Sequence, residues 1–219
     1  KQTLSTAFSN SLYCVLRRYL TVMGGLPATP GASFEAPIPP SAVAHLHQDL
    51  DVRFQLCSSP MNTYFRSFCS PFADTDALFG SLGSMCGFVA ASGALECHPP
   101  CTEEGIGRSA AQVEHMLSVA TGPLTVVFVS PNWVDPPCAG LVMLTQSVHK
   151  RVEFSAPRSA HAYVSGVHYL ASTAVANNAR NVTPMFDTRV FVLQNDAGAE
   201  ACALTHEVVG RLKRAFGAA

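Results

Sequence analysis

Apolar residues recur at helical spacing in the first part of the chain. Within residues 4–23, leucine, valine, phenylalanine and tyrosine return every three or four positions, and Gly24-Gly25 follows. This spacing predicts an amphipathic helix that ends at the glycine pair. Residues 26–40 are rich in Pro, Gly and Ala and predict an irregular connection. Pro39-Pro40-Ser41 then opens a second predicted helix to about Leu50.

Further along the chain, short apolar runs alternate with helical patterns. The clearest run is Leu124–Val129, which Pro123 and Ser130-Pro131 bound. The predicted strands are 52–57, 94–97, 124–129, 151–155 and 189–194, and the predicted helices among them are 105–120, 139–148 and 202–216. Residues 61–69 are compatible with a helical turn, residues 70–87 favour a binding loop over a regular element, and residues 161–182 are ambiguous.

Strands that alternate with helices predict an α/β fold: a single open sheet with helices on both faces. In such sheets, ligands bind at the carboxyl ends of the strands. The 219 residues suffice for one domain with a sizeable core, and no internal repeat or second domain is visible. Because the chain starts at Lys1 and not at Met, we expect it to be a fragment of a longer protein.

Charge is scarce in this chain. Charged residues make up 13% of it, about half of the usual ~25%. Either part of the surface is covered by a protein partner or a missing domain, or small polar residues replace charge. The net charge is −1 with no long basic run, so the sequence shows no sequence-independent phosphate-binding surface. Nucleic-acid contacts would need a local cluster, and the candidates are Arg17/Arg18/Arg66 and Lys150/Arg151/Arg158. The composition favours a solvated face over a binding site for each cluster.

The eight cysteines form no C-x-x-C pair and no His–Cys zinc spacing, so no metal site is predicted. Several lie within apolar runs, which is typical of buried thiols in an intracellular, reducing compartment. No stretch of about 18 apolar residues predicts a membrane span, and the first residues lack the apolar core of a secretion signal.

Several unusual segments occur in a characteristic order. They are Tyr13-Cys14-Val15-Leu16, Phe54 to Asn62, Cys69-Ser70-Pro71-Phe72-Ala73-Asp74-Thr75-Asp76 with Phe79-Gly80-Ser81, Ser92 to Glu96, Val127-Phe128-Val129 with Pro131-Asn132-Trp133, and Phe191 to Asn195. In this order and spacing, over roughly residues 10–200, the chain resembles the cap-specific adenosine N6-methyltransferases, the phosphorylated-CTD-interacting-factor family. From the resemblance we expect the WW module and upstream helical region of that family to lie outside this chain.

The resemblance implies a Rossmann-like S-adenosylmethionine-dependent methyltransferase domain over residues 1–219, with an N-terminal helical region (1–50) and a Rossmann-like core (51–219). S-adenosylmethionine would lie over the ends of the first strands. The expected cofactor residues are Ser58, Ser59, Pro60 and Asn62 at the methionine end, Asp74 and Asp76 at ribose hydroxyls or the amino group, and Phe79 (or Phe72) with Gly80 at the adenine. A carboxylate recognises hydroxyls and an aromatic ring covers a base, although the same residues also fit a surface loop with aromatics in the core.

The family's catalytic motif, Asn-Pro-Pro-aromatic, reads His98-Pro99-Pro100-Cys101 here. The lone pair of the adenine amine is delocalised, so the Asn oxygen and the first proline carbonyl accept its N–H groups and orient it toward the methyl group. A neutral His98 can accept one such bond, but its ring is larger than an amide. Cys101 cannot stack on the target base, which removes about 1–3 kcal/mol of stacking free energy. The smaller residue, however, leaves room for an already methylated amine.

A second proline pair, Asp135-Pro136-Pro137-Cys138, is an alternative catalytic turn or a plain strand-to-helix connection. The resemblance implies methyl transfer to N6 of an adenosine in RNA, at an mRNA cap. The altered motif leaves open an inactive pseudo-methyltransferase that serves as a structural or RNA-binding subunit of a ribonucleoprotein. A methyltransferase acting on another amine or on protein also stays open. By resemblance, the compartment is the nucleus or cytoplasm, with an organelle still open.

Overall fold

The computed structural model describes residues 2–22, 37–164 and 181–218. The helices are α1 (Gln2–Val22), α2 (Pro40–Leu50), α3 (Ala73–Asp76), α4 (Glu103–Val119), α5 (Ala139–Gln146), α6 (Asp196–Ala201) and α7 (His206–Ala215), with a 3₁₀ turn at Ala77–Phe79. The strands are β1 (Phe54–Gln55), β2 (Gly93–Cys97), β3 (Leu124–Pro131), β4 (Lys150–Ala156), β5 (Tyr163–Val164), β6 (Asn181–Val182) and β7 (Thr188–Gln194).

Five strands form one mixed sheet in the order β1-β2-β3-β7-β4. The strands β1, β2 and β3 are parallel, and β7 is antiparallel to both of its neighbours. A separate antiparallel pair joins β5 to β6. The predicted single open sheet is therefore confirmed, with an antiparallel β7 inserted between β3 and β4.

Two single-residue rungs continue the sheet beyond β1. Phe68 pairs in parallel with Gln55, and Ser81 pairs in parallel with Phe68. The rungs are held by Cys69 N–H donating to the Gln55 carbonyl and Leu82 N–H donating to the Phe68 carbonyl, both at 2.8 Å. With them, the order becomes Ser81, Phe68, β1, β2, β3, which is the 3-2-1-4-5 order of doubly wound folds. The order reverses between β1 and β2, where such sheets bind ligands.

Helices cover both faces of the sheet. Apolar residues of α4 and α5 pack on one face with Val126 and Phe128, whereas residues of α2 and α7 pack on the other with Val127 and Val129. Every residue of β3 is buried, because a central strand in a three-layer fold has no solvated face. The expectation of helices on both faces is confirmed.

Some local predictions differ from the structure. The strand expected at 52–57 is only Phe54–Gln55, since the chain turns soon afterwards. Residues 61–69 hold no helix, and the 70–87 loop contains α3 and the 3₁₀ turn. The helix expected at 202–216 corresponds to α7, which begins at His206 because Thr205 caps it, and a short helix that was not predicted, α6, precedes it after the cap Asn195. In the ambiguous segment, β5 and β6 pair, and residues 165–180 lie outside the described residues.

The eight cysteines are free thiols, of which Cys69, Cys97 and Cys138 are buried. Across residues 2–22, 37–164 and 181–218, no helix has both the length and the apolar character needed to cross a bilayer. In the same ranges no group of three or more His, Cys, Asp or Glu side chains is arranged to hold a metal ion.

Candidate functional site

Two segments that the sequence nominated, 58–62 and 98–101, lie at the carboxyl edge of the parallel strands, and residues 70–72 lead from the same edge into the third, 74–81. The turn 58–62 follows β1, residues 70–72 follow the Phe68 rung, and residues 98–101 follow β2. The N–H of Ser58 donates to the carbonyl of Cys69 at 3.0 Å, and the sulfurs of Cys57 and Cys97 lie 3.9 Å apart. These contacts place the segments around the point where the strand order reverses.

The turn 58–62 is closed by the side chain of Asn62. Its Oδ1 accepts hydrogen bonds from the hydroxyl of Ser58 (2.8 Å) and from the N–H (2.8 Å) and hydroxyl (3.2 Å) of Ser59. Three donors on one oxygen fix which end of the amide is which. The two serines therefore use their polar groups inside the turn. In the described part of the chain, the Nδ2 amide group of Asn62 has no hydrogen-bond partner and can donate to a ligand.

The two aspartates expected near the cofactor have different surroundings. Asp76 is fully buried and accepts from the hydroxyl of Tyr19 at 2.5 Å and from that of Thr75 at 3.0 Å. Asp74 is exposed and pairs with Arg18 at 2.6 Å, and this hydrogen bond lowers the pKa of its carboxyl group. In this arrangement Asp74 is open to solvent, whereas Asp76 anchors α1 to the loop.

The aromatic residues of this loop pack against α1. Phe72 meets Tyr19 edge to face at 5.5 Å, with the guanidinium of Arg18 over its ring at 4.9 Å. Phe79 lies 6.0 Å from Phe8 between ring centroids. Gly80 has a φ of +103°, and a Cβ there would lie 2.0 Å from the carbonyl oxygen of Arg66, so the glycine is required sterically. Stacking of Phe72 or Phe79 on adenine stays a prediction.

The turn 98–101 joins β2 to α4. Pro99 is buried and Pro100 is exposed, and the Pro100 carbonyl accepts from Thr102 N–H at 2.7 Å. Thr102 is the N-cap of α4, since its hydroxyl accepts from Gly105 N–H at 3.0 Å. Cys101 is exposed. The proline pair is thus held between a sheet strand and a capped helix.

His98 stacks on Tyr163, with ring centroids 5.2 Å apart and planes at 26°. Desolvation lowers the pKa of its imidazole to about 4, so the ring is neutral at physiological pH. Within residues 2–22, 37–164 and 181–218, neither ring nitrogen has a hydrogen-bond partner. His98 therefore provides a neutral, oriented acceptor next to Pro99.

A directed chain of hydrogen bonds anchors Tyr163. His161 Nδ1 lies 3.0 Å from the Pro157 carbonyl and must donate to it, which leaves Nε2 as an acceptor. The Thr188 hydroxyl, 2.8 Å from that Nε2, donates to it and accepts from the Tyr163 hydroxyl at 2.5 Å. Tyr163 is a fixed platform for His98.

Sequence reasoning missed Glu96, Tyr163 and Tyr19 as parts of the site. Glu96 was visible as a carboxylate inside the apolar strand Ala94-Leu95-Glu96-Cys97. It is 1% exposed, and burial raises the pKa of its carboxyl group to about 7. The two tyrosines reach the site through contacts that are distant in sequence, which no local pattern reveals.

The second proline pair lies elsewhere. Residues 135–138 connect β3 to α5, and the Asp135–Pro136 peptide bond is cis. A groove of about 200 Å³ runs beside this turn, lined by residues such as Trp133, Leu141 and Arg189. The groove and the turn lie beside β3 and α5 and not at the reversal between β1 and β2. The geometry therefore favours residues 98–101 as the candidate catalytic turn.

An open sheet with the 3-2-1-4-5 order and a proline turn at its reversal point defines a Rossmann-like methyltransferase fold. A family model described as the phosphorylated CTD interacting factor 1 WW domain matches residues 1–166. The chain belongs to this phosphorylated CTD interacting factor 1 family.

The sequences of two relatives align with most of this chain. Both are mRNA (2'-O-methyladenosine-N(6)-)-methyltransferases, one from Homo sapiens and one from Mus musculus. Each is 32% identical over 209 residues, which is 95% of this chain and 29% of the relative. The chain thus spans just under a third of the length of these relatives.

Proposed function

We propose that this chain transfers a methyl group from S-adenosylmethionine to N6 of an adenosine in RNA. The observation that carries the proposal is His98: a neutral imidazole, unpartnered among the described residues and held beside Pro99 at the strand-order reversal. The family membership of the chain supports the same chemistry, because the relatives' names specify N6 methylation of an mRNA adenosine.

The donor and acceptor groups at this edge suit the cofactor. The Nδ2 group of Asn62 can donate to the methionine carboxylate, and Asp74 can accept from ribose hydroxyls. Ser58, Ser59 and Pro60 shape the turn that presents Asn62. Asp76, bonded to Tyr19, holds the loop that carries Asp74, Phe79 and Gly80.

When bound, the cofactor supplies an electrophilic methyl group on a sulfonium sulfur. His98 and the carbonyl of Pro99 each accept an N–H of the adenine amine, which directs the nitrogen lone pair toward the methyl carbon. The same two acceptors offset the positive charge that develops on the nitrogen as the N–C bond forms and the S–C bond breaks. The balanced step would release S-adenosylhomocysteine as the neutral thioether and pass the extra proton of the methylated amine to water. Cys101 adds no π face, so the stacking partner for the base must come from elsewhere.

The substrate class we propose is an mRNA adenosine, at a capped 5' end, as the family resemblance implies, and the compartment is accordingly nuclear or cytoplasmic. The chain's low charge and the exposed side chains of Phe8 and Tyr13 on α1 suggest that a protein partner or further domain covers part of this surface.

Calorimetry with S-adenosylhomocysteine and transfer of labelled methyl groups to RNA test the proposal. We expect binding, and methylation of RNA that begins with 2'-O-methyladenosine over RNA that begins with 2'-O-methylguanosine. His98→Ala should lower the rate by about 100-fold, whereas His115→Ala, an exposed histidine on α4, should not. Absence of binding refutes the proposal, and binding without transfer to any RNA favours the pseudo-methyltransferase alternative.

A further inference from the structure

Glu96 carries a buried oxygen that the described residues leave unused. Its Oε2 accepts from the Nε2 of Gln55 at 3.1 Å, while Oε1 has no partner among them. The Gln55 amide cannot turn round, because its Oε1 already accepts from Tyr64 N–H at 2.8 Å and from the Thr63 hydroxyl at 3.2 Å. A buried polar atom without a partner destabilises the folded state, so a native fold that retains one calls for an explanation.

The position of Glu96 relates it to His98. Alternate residues of a strand share a face, and His98 follows Glu96 by two positions, about 6.6 Å along the strand. Both lie near one ring: His98 stacks on Tyr163, and the pKa of that tyrosine is raised chiefly by burial and to a smaller extent by the nearby charge of Glu96. A carboxylate and an imidazole at this spacing can be joined through one water molecule.

We propose that Glu96 is a positioning residue for His98: its Oε1 accepts the Nδ1–H of the imidazole through one bridging water and thereby leaves Nε2 as the acceptor. Nδ1 is the nitrogen closer to the backbone and so to the preceding strand residues, whereas Nε2 reaches outward. The assignment of Nε2 to the substrate amine rests on the proposed function, but the Glu96–His98 contact does not.

The contact resolves a problem that a histidine creates at this position. A neutral imidazole exists as two tautomers, and only one of them presents an acceptor at a given nitrogen. Tyr163 fixes the plane of the ring but not its tautomer. The Glu96 carboxyl group bonds Gln55 through Oε2 only, and the charge of Glu96 is felt at Tyr163 and at the Cys97 thiol. The free oxygen is thus the group that can select the tautomer.

The test is nitrogen NMR of the imidazole rings in the full chain, without cofactor or RNA. Wild-type His98 should show one tautomer, protonated at Nδ1, and Glu96→Leu should show a mixture. Glu114→Leu is the matched control, since Glu114 also has a buried, unpartnered Oε1 but lies on α4, which packs on the other face. An unchanged tautomer in folded Glu96→Leu would overturn the proposal.

Glu96→Gln keeps the shape and serves if the leucine variant fails to fold. In the wild type, the His98 ring signals should shift as the Glu96 carboxyl group titrates, and this step should vanish in Glu96→Gln. A wild-type His98 signal that does not respond overturns the proposal. If transfer activity is present, Glu96→Leu should lower kcat and leave the cofactor KM unchanged. The NMR measurements do not require methylation activity. The positioning of His98 by Glu96 and the proposed function can therefore be refuted independently.

Discussion

The buried carboxyl group of Glu96 makes the stability of this protein depend on pH in a defined direction. Its pKa is about 7 in the folded chain, against 4.5 for an ordinary glutamate. Between these values the folded state binds more protons than the unfolded state, so the free energy of unfolding falls as pH rises. At about 1.4 kcal/mol per pKa unit, the contribution amounts to about 3 kcal/mol. It is fully present below pH 4.5 and lost above pH 7.

Glu96→Gln removes the ionisable group and keeps an oxygen that can accept from Gln55. We expect the difference in unfolding free energy between variant and wild type to shift by about 3 kcal/mol in favour of the variant from about pH 4.5 to about pH 8. Urea unfolding at several pH values measures it, and the other titrating groups cancel in the difference. A Glu96→Gln difference that stays constant with pH would show that Glu96 is not desolvated as the structure has it.

Three further substitutions test the scaffold of the site, and a fourth, Thr205→Ala, serves as a control away from it. Gly80→Ala should destabilise the fold by about 2 kcal/mol or more in urea unfolding, because a Cβ at positive φ collides with a backbone carbonyl. An unchanged unfolding free energy would contradict the positive φ and the close carbonyl contact at this turn. Thr102→Ala should cost about 1 kcal/mol by loss of the α4 cap, and Thr205→Ala, the equivalent cap of α7, should cost a similar amount while sparing ligand binding. Tyr19→Phe should cost about 1.5–3 kcal/mol by removing a hydrogen bond to the buried carboxylate of Asp76, and a thermal melt identical to wild type would contradict that contact.

The sequence predicted the fold well where hydrophobic patterns are long. The apolar run at 124–129 and the helical spacing at 4–23 correspond to β3 and α1, since burial on both faces or on one stripe leaves a period in the chain. The rungs at Phe68 and Ser81 were invisible, because a single paired residue produces no period. Their positions follow from backbone pairing across the sheet.

For the site, motif spacing located the segments but not the partners of their side chains. Asn62 and Asp76 were nominated as ligand contacts, yet their oxygens bond within the protein, to the 58–59 turn and to Tyr19. Tyr163 lies 65 positions from His98 in the chain and touches its ring. Such contacts depend on how distant elements pack, which a single sequence does not encode as a local pattern.

Because of the two single-residue rungs, strand pairing is much less extensive at one edge of the sheet than at its centre. β3 and β7 share a seven-residue ladder, whereas the edge beyond β1 is connected by isolated pairs at Phe68 and Ser81. Local opening is easiest where few backbone hydrogen bonds must break together. The half of the sheet that carries the nominated cofactor loops should therefore open locally before the β3–β7 centre does. A ligand bound there would stabilise that half and leave the centre of the sheet unaffected.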